Sequence, residues 1–184
     1  MSEVKVKSLL SSAVFPLKNK FVRVLWAIFY YVFFRFSPRP FFVWRLLILK
    51  AFGAKIGSGA RVYPSVRIWL PSNLILGDQV ALADGVKIYN QGEINIGSKT
   101  IVSQGAHLCS STHDYNDPVH PIVLSPINIG RNVWICADAF VGPGITLGEG
   151  TVIGARAVIC KDTEVWCVYV GNPAIKVNER KRFE

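Results

Sequence analysis

Branched apolar residues recur every six positions through most of this chain: at Ile56, Val62, Ile68 and Leu74, at Leu76, Leu82, Ile88 and Ile94, and at Ile96, Val102 and Leu108. The beat stops after His113. It resumes at Ile129 and runs through Ile135, Val141, Leu147, Ile153, Ile159 and Val165. A small or β-branched residue usually follows four places later, as at Ala60, Val80, Thr100, Ala106, Thr112, Ala139, Thr151 and Ala157. A unit of this length suits a strand of about four residues and a bend of two, so three units close a triangular coil. Stacked coils place the backbone amides in a parallel ladder and bury each repeat against its neighbours, so the pattern specifies an all-β solenoid.

In the first three coils the spacing is 20, with Ile56, Leu76 and Ile96 equivalent, and the two additional residues fall at one corner. After Ile129 it is a strict six. Three parts follow: a helical segment over 1–54, a solenoid over 55–170 with a protruding loop at 114–127, and a tail over 171–184. Residues up to 20 read as a loose lead-in. A helix is expected over the apolar run from Phe21 to Phe36, and a second from Pro40 to about Phe52, apolar nearly all round and fit to plug the open first coil.

The first 50 residues hold nine Lys and Arg against Glu3 alone, a net charge of +8, whereas the rest of the chain is nearly neutral. These cations flank Phe21, Leu25, Trp26, Ile28, Phe29, Tyr30 and Phe33, more apolar surface than a base-stacking site needs, so the expected partner is a membrane surface and no nucleic acid. The uncharged run Val24 to Phe34 is eleven residues long, where a spanning helix needs about 20. Cys109, Cys136, Cys160 and Cys167 form no CxxC pair and read as small interior side chains of a chain in the reducing cytoplasm.

About a dozen residues after His113 must leave the prism, and Pro118, Pro121 and Pro126 keep them from forming a helix. His113 stands at the root of this interruption, where an imidazole can take a proton from an attacking hydroxyl near neutral pH. Asp114 and Asp117 can orient that ring or bind sugar hydroxyls, and are equally good turn formers.

The units IGSGARV, LGEGTVI and IGARAVI resemble the hexapeptide repeat of the left-handed β-helix acyltransferases. Left-handedness comes from this resemblance, since the ordinary crossover rule gives the opposite hand. The segments LCSSTHDYNDP, INIGRNVWI, VGPGITLGEGTVIGARAVICKD and VGNPA are similar to those of sugar O-acetyltransferases. With SPRP, FGAKIG and RVYPSVRIW, they most resemble the colanic acid biosynthesis acetyltransferase family.

The resemblance implies acetyl-CoA as acyl donor, no metal, His113 as catalytic base, and the amide of Ala137 as oxyanion donor. It implies acceptor contacts at Asn90 and Gln91, where some relatives have acidic residues. Donor contacts are implied at Trp134, Ala155, Cys160 (a Thr in some relatives), Lys161, Gly171 and Pro173. It also implies a homotrimer, in which a partner prism walls the exposed half of the site. The acceptor expected from these features is a sugar hydroxyl of a polysaccharide precursor, lipid-linked in view of the basic N-terminal segment. Two other readings are a small-molecule acetyltransferase, which would need no membrane dock, and a non-catalytic scaffold, in which His113 would be dispensable. A zinc carbonic anhydrase on this fold needs three His ligands from neighbouring coils. Only His107, His113 and His120 are present, and none lies in an earlier coil.

Overall fold

In the computed structural model, which describes residues 4–6 and 15–183, the six-residue beat becomes a left-handed parallel β-helix preceded by two helices. Face 1 stacks Lys55–Ile56, Leu74–Leu76, Ile94–Ile96, Ile127–Ile129 and Thr146–Leu147. Face 2 stacks Arg61–Val62, Ala81–Leu82, Ile101–Val102, Trp134–Ile135, Val152–Ile153 and Cys167–Gly171. Face 3 stacks Arg67–Ile68, Lys87–Tyr89, His107–Cys109, Phe140–Val141 and Val158–Ile159.

The inward residues superimpose from coil to coil. On face 2, Val62, Leu82, Val102, Ile135 and Ile153 pair in register and are fully buried, each contributing about 1.5–3 kcal/mol of apolar transfer. The glycine that follows the face-1 strand has a steric cause: a Cβ on Gly97 would lie 2.6 Å from the carbonyl carbon of Gly130 in the next coil.

Helix α1, Leu17–Phe29, continues without a break into a π-helical turn, Tyr30–Phe34, closed by Arg35 N–H to Tyr30 O at 2.7 Å. Trp26, Tyr30 and Phe34, spaced by four, form its buried stripe. The Trp26 indole N–H donates to Ile68 O at 2.7 Å and fixes α1 to the first coil. Helix α2, Phe42–Ala51, buries Ile48 and Leu49 in the same core. Its fully buried Arg45 donates to the carbonyls of Val62, Pro38 and Arg39 and to Ser37 Oγ, tying the SPRP turn to face 2. No helix among the described residues is long and apolar enough to cross a membrane.

The course of the backbone departs from the sequence expectations at four places. The protrusion is a β-hairpin: Ser111–His113 pairs antiparallel with Ile122–Leu124, so it begins before residue 114 and carries Thr112 out to an exposed position. The lead-in is partly ordered: Val4–Val6 adds to the hairpin as a third strand beside Ile122–Leu124, and α1 already begins at Leu17. The rest of the lead-in, residues 1–3 and 7–14, lies outside the described residues. Val165 is 51% exposed, because the last coil is two residues short and Ile153 pairs with Tyr169. The tail turns back as Ala174–Glu179, antiparallel to Cys167–Gly171, and covers the solenoid's final edge.

Candidate functional site

The additional residues of the first coils sit at the corner between faces 3 and 1, and the hairpin grows from that same corner. Its tip is built from turn chemistry. Asp114 Oδ1 accepts the N–H of Asn116 at 3.1 Å, and Asp117 Oδ1 accepts that of Val119 at 3.0 Å. Asp114 N–H donates to Pro121 O, and His120 N–H to Asp117 O. His120 adopts a left-handed φ of 44°, and its carbonyl is turned toward His113, 2.6 Å from Nδ1.

A carbonyl oxygen can only accept, so Nδ1 carries the proton and the neutral ring presents the lone pair of Nε2. His113 is exposed. This tautomer is the one a general base requires. The ring is thus oriented by a backbone carbonyl, and Asp114 and Asp117 each give a carboxylate oxygen to the turn.

Asn90 also departs from expectation. It is fully buried. Its Nδ2 donates to Leu70 O at 2.7 Å and its Oδ1 accepts Leu70 N–H at 3.2 Å. Its amide is consumed in joining two coil corners, as a structural strut in place of the expected acceptor contact. The neighbouring Gln91 is half-buried, and its Nε2 donates to Tyr89 Oη at 3.0 Å. Cys160 and Lys161 lie exposed on this same edge, farther along the prism.

The remaining expected residues stand elsewhere. Ala137 and Ala155 occupy the corner between faces 2 and 3. The neighbours of Ala137 donate along the ladder, Cys136 N–H to Ile153 O and Asp138 N–H to Gln104 O, while the N–H of Ala137 has no partner among the described residues. The equivalent amides of Gln104 and Ala155 are open in the same way. Trp134, on face 2, is 45% exposed, donates from Nε1 to Ser103 Oγ at 3.0 Å, and lines a cavity of about 490 Å³ with Lys99, Asn132 and Arg180. Gly171 and Pro173 are exposed at the tip of the terminal hairpin.

One edge therefore carries His113, Gln91, Cys160 and Lys161. The other carries Ala137 and Ala155, with Trp134 beside it on face 2. A face of about four residues spans about 13 Å, so a single prism holds His113 and the open amide of Ala137 apart.

His107 packs between Tyr89 and Phe140 on face 3. Burial first, then the charge of Lys87, holds its pKa below 6.5. Burial pushes the Cys136 thiol up, while Cys160 is the exposed thiol of four free cysteines. Among the described residues no group of three or more His, Cys, Asp or Glu side chains is arranged to hold a metal ion. The carbonyl of His120, Lys99 and Arg180 carry no sequence signal that would have singled them out.

Residues 126–161 match the family described as bacterial transferase hexapeptide (six repeats). The chain is 40% identical over 163 residues to a protein of Escherichia coli K12 named "Putative colanic acid biosynthesis acetyltransferase WcaF", with 89% of each chain covered. Its fold matches a maltose O-acetyltransferase from Clostridium difficile 630 with a TM-score of 0.83 at 24% identity, over 91% of this chain and 90% of that one. It also matches a galactoside acetyltransferase in complex with coenzyme A, with a TM-score of 0.79 at 24% identity over 90% and 84% of the two chains.

Proposed function

The chain belongs to the hexapeptide-repeat acetyltransferases, in the family of the colanic acid biosynthesis acetyltransferases, and from that premise we propose that it transfers acetyl from acetyl-CoA to a sugar hydroxyl of a surface-polysaccharide precursor. The observation that carries the reading is the His113 tautomer: Nδ1–H bound to the His120 carbonyl leaves Nε2 able to accept a proton.

Acetyl-CoA supplies the activated acetyl group. Nε2 of His113 takes the proton of the acceptor hydroxyl as its oxygen attacks the thioester carbonyl. The N–H of Ala137 points its dipole at the oxygen on which negative charge develops. The resulting imidazolium returns the proton to the departing thiolate. Cys160, Lys161 and Ala155 flank the donor, with Lys161 offering a cation to its phosphates, and Gly171 and Pro173 border the adenine end. Gln91 and the hairpin carboxylates of Asp114 and Asp117 face the acceptor.

The base and the oxyanion amide lie on different edges, so the site is completed between protomers. We assign a homotrimer in which the His113 edge of one prism meets the Ala137 edge and Trp134 face of the next. Cyclic symmetry makes the same pair of edges meet at every interface.

A membrane surface is the setting. Between Leu17 and Leu47, fourteen large apolar side chains stand exposed, interleaved with Lys18, Lys20, Arg23, Arg35 and Arg39. Such a surface fits the headgroup layer on the inner face of a cytoplasmic membrane. The test is mass spectrometry of the glycan precursor after incubation with acetyl-CoA and purified protein. A gain of one acetyl group per repeat, absent with His113→Ala, supports the reading. Thioester consumption only with small-molecule alcohols, and none with glycans, overturns it.

A further inference from the structure

Away from the hairpin, α1 and the first coil enclose a cavity of about 490 Å³ lined by Lys20, Arg23 and Arg67. Among the described residues no carboxylate lines it, and none of the three cations forms an ion pair. Its walls are aromatic: Trp26 and Tyr31 from the helix, Trp69 from face 3. The Arg23 guanidinium lies over Trp69 at 4.1 Å from the ring centroid, which fixes its plane and leaves its N–H edge available.

Three cations, Lys20 and Arg67 on exposed positions and Arg23 half-buried, share one apolar-walled groove, and a single carboxylate would not balance them. A phosphate ester carries about two negative charges and three acceptor oxygens, and matches the arginine fork. Val24, Ala27 and Tyr31 also border the cavity, and Val24 and Tyr31 belong to the exposed apolar surface of the helix. The ligand that satisfies both features is an amphiphile, with its phosphate inside and its chain outside.

A second observation gives the direction in which the rest of the ligand runs. Trp69 begins an aromatic row down face 3, with Tyr89 at 6.4 Å and His107 a further 6.5 Å along. Tyr89 pairs in register with Cys109, two residues before the strand Ser111–His113. Coils repeat at about 4.8 Å, so the His113 coil lies about 10 Å along the axis from Trp69, the length of one or two sugar rings. Tyr89 stands edge to face with Trp69 at 67° and His107 with Tyr89 at 83°, so the row offers a sugar apolar ring edges and faces in turn along this path.

We propose that this cavity binds the phosphate or diphosphate of a lipid-linked glycan acceptor, with the lipid leaving across α1 and the glycan running over Trp69 and Tyr89 toward His113. This deepens the acetyltransferase reading by naming the acceptor class, and rests on that reading only for where the glycan leads.

The test titrates full-length protein with farnesyl diphosphate, farnesol, inorganic diphosphate and uridine diphosphate, followed by tryptophan fluorescence and calorimetry. Farnesyl diphosphate should bind at least about tenfold more tightly than each of the others, and Arg23→Gln with Arg67→Gln should remove about tenfold or more of that affinity. Lys20→Gln, at an exposed position that does not threaten folding, should weaken binding severalfold and lower its salt dependence. Acetyl-CoA binding should be unchanged in all variants.

Equal affinity for farnesol would reduce the cavity to an apolar groove. Equal affinity for inorganic diphosphate would make it a plain anion site, and tighter uridine diphosphate a nucleotide site. Any of these, or affinity unaffected by the three substitutions, overturns the proposal. A protein that binds farnesyl diphosphate as stated but acetylates no glycan refutes the acetyltransferase reading and leaves this one standing.

Discussion

His113 Nδ1 and the carbonyl oxygen of His120 lie 2.6 Å apart across the hairpin tip, and this contact sets which nitrogen of the ring is basic. The expected consequence is that His113→Ala lowers kcat by about a hundred- to ten-thousandfold while acetyl-CoA binding persists. His120→Gly keeps the carbonyl, relieves the left-handed φ of 44°, and should leave kcat near that of the parent. Steady-state kinetics on both variants check the pair.

Cys160 is exposed on the His113 edge, whereas Cys167 is buried and burial raises the pKa of Cys136. A maleimide should therefore label Cys160 first. Saturating acetyl-CoA should slow that labelling about tenfold or more, by covering the thiol. Peptide mapping of the labelled protein provides the measurement, and unchanged labelling would remove Cys160 from the donor track.

Phe21 and Ile28 are 65% and 53% exposed on α1. Substituting both with Glu should weaken binding to anionic vesicles by about tenfold or more without moving the melting temperature. Vesicle co-sedimentation and thermal denaturation read the two effects separately. Removing residues 1–36 is a poorer experiment, because it takes Trp26, Tyr30 and Phe34 out of the core.

His107 has a folded-state pKa below the 6.5 of the free side chain. Above about 6.5 the ring is neutral in both states, and its contribution to stability is complete. As pH falls below that value the unfolded chain takes up the proton first, so stability declines until the folded-state pKa is passed, and then levels off. Chemical denaturation between pH 7 and pH 5 should show this slope, and His107→Phe should flatten it.

The prism was legible in the sequence because its cause is local: an inward residue every sixth position, and a glycine where a Cβ would strike the next coil. The hairpin was legible as an interruption but not as strands, since its pairing of Ser111–His113 with Ile122–Leu124 follows no alternation of apolar and polar residues. Val165 misled because the beat continues in letters after the coil has shortened. At the site, His113 could be found from its place at the break, while the His120 carbonyl could not, since any residue supplies one. The family resemblance implied an acceptor contact at Asn90, and only its two bonds to Leu70 reveal a strut.

In the proposed trimer, one protomer's His113 works with the next protomer's Ala137. Co-refolding equal amounts of His113→Ala and Ala137→Trp chains tests it most directly. Each variant alone should be inactive, and random mixing into trimers should restore about a quarter of the parental activity, since each mixed trimer regains one intact interface. Activity no higher in the mixture than in the separate variants, with mixed trimers verified by native mass spectrometry, would contradict the account.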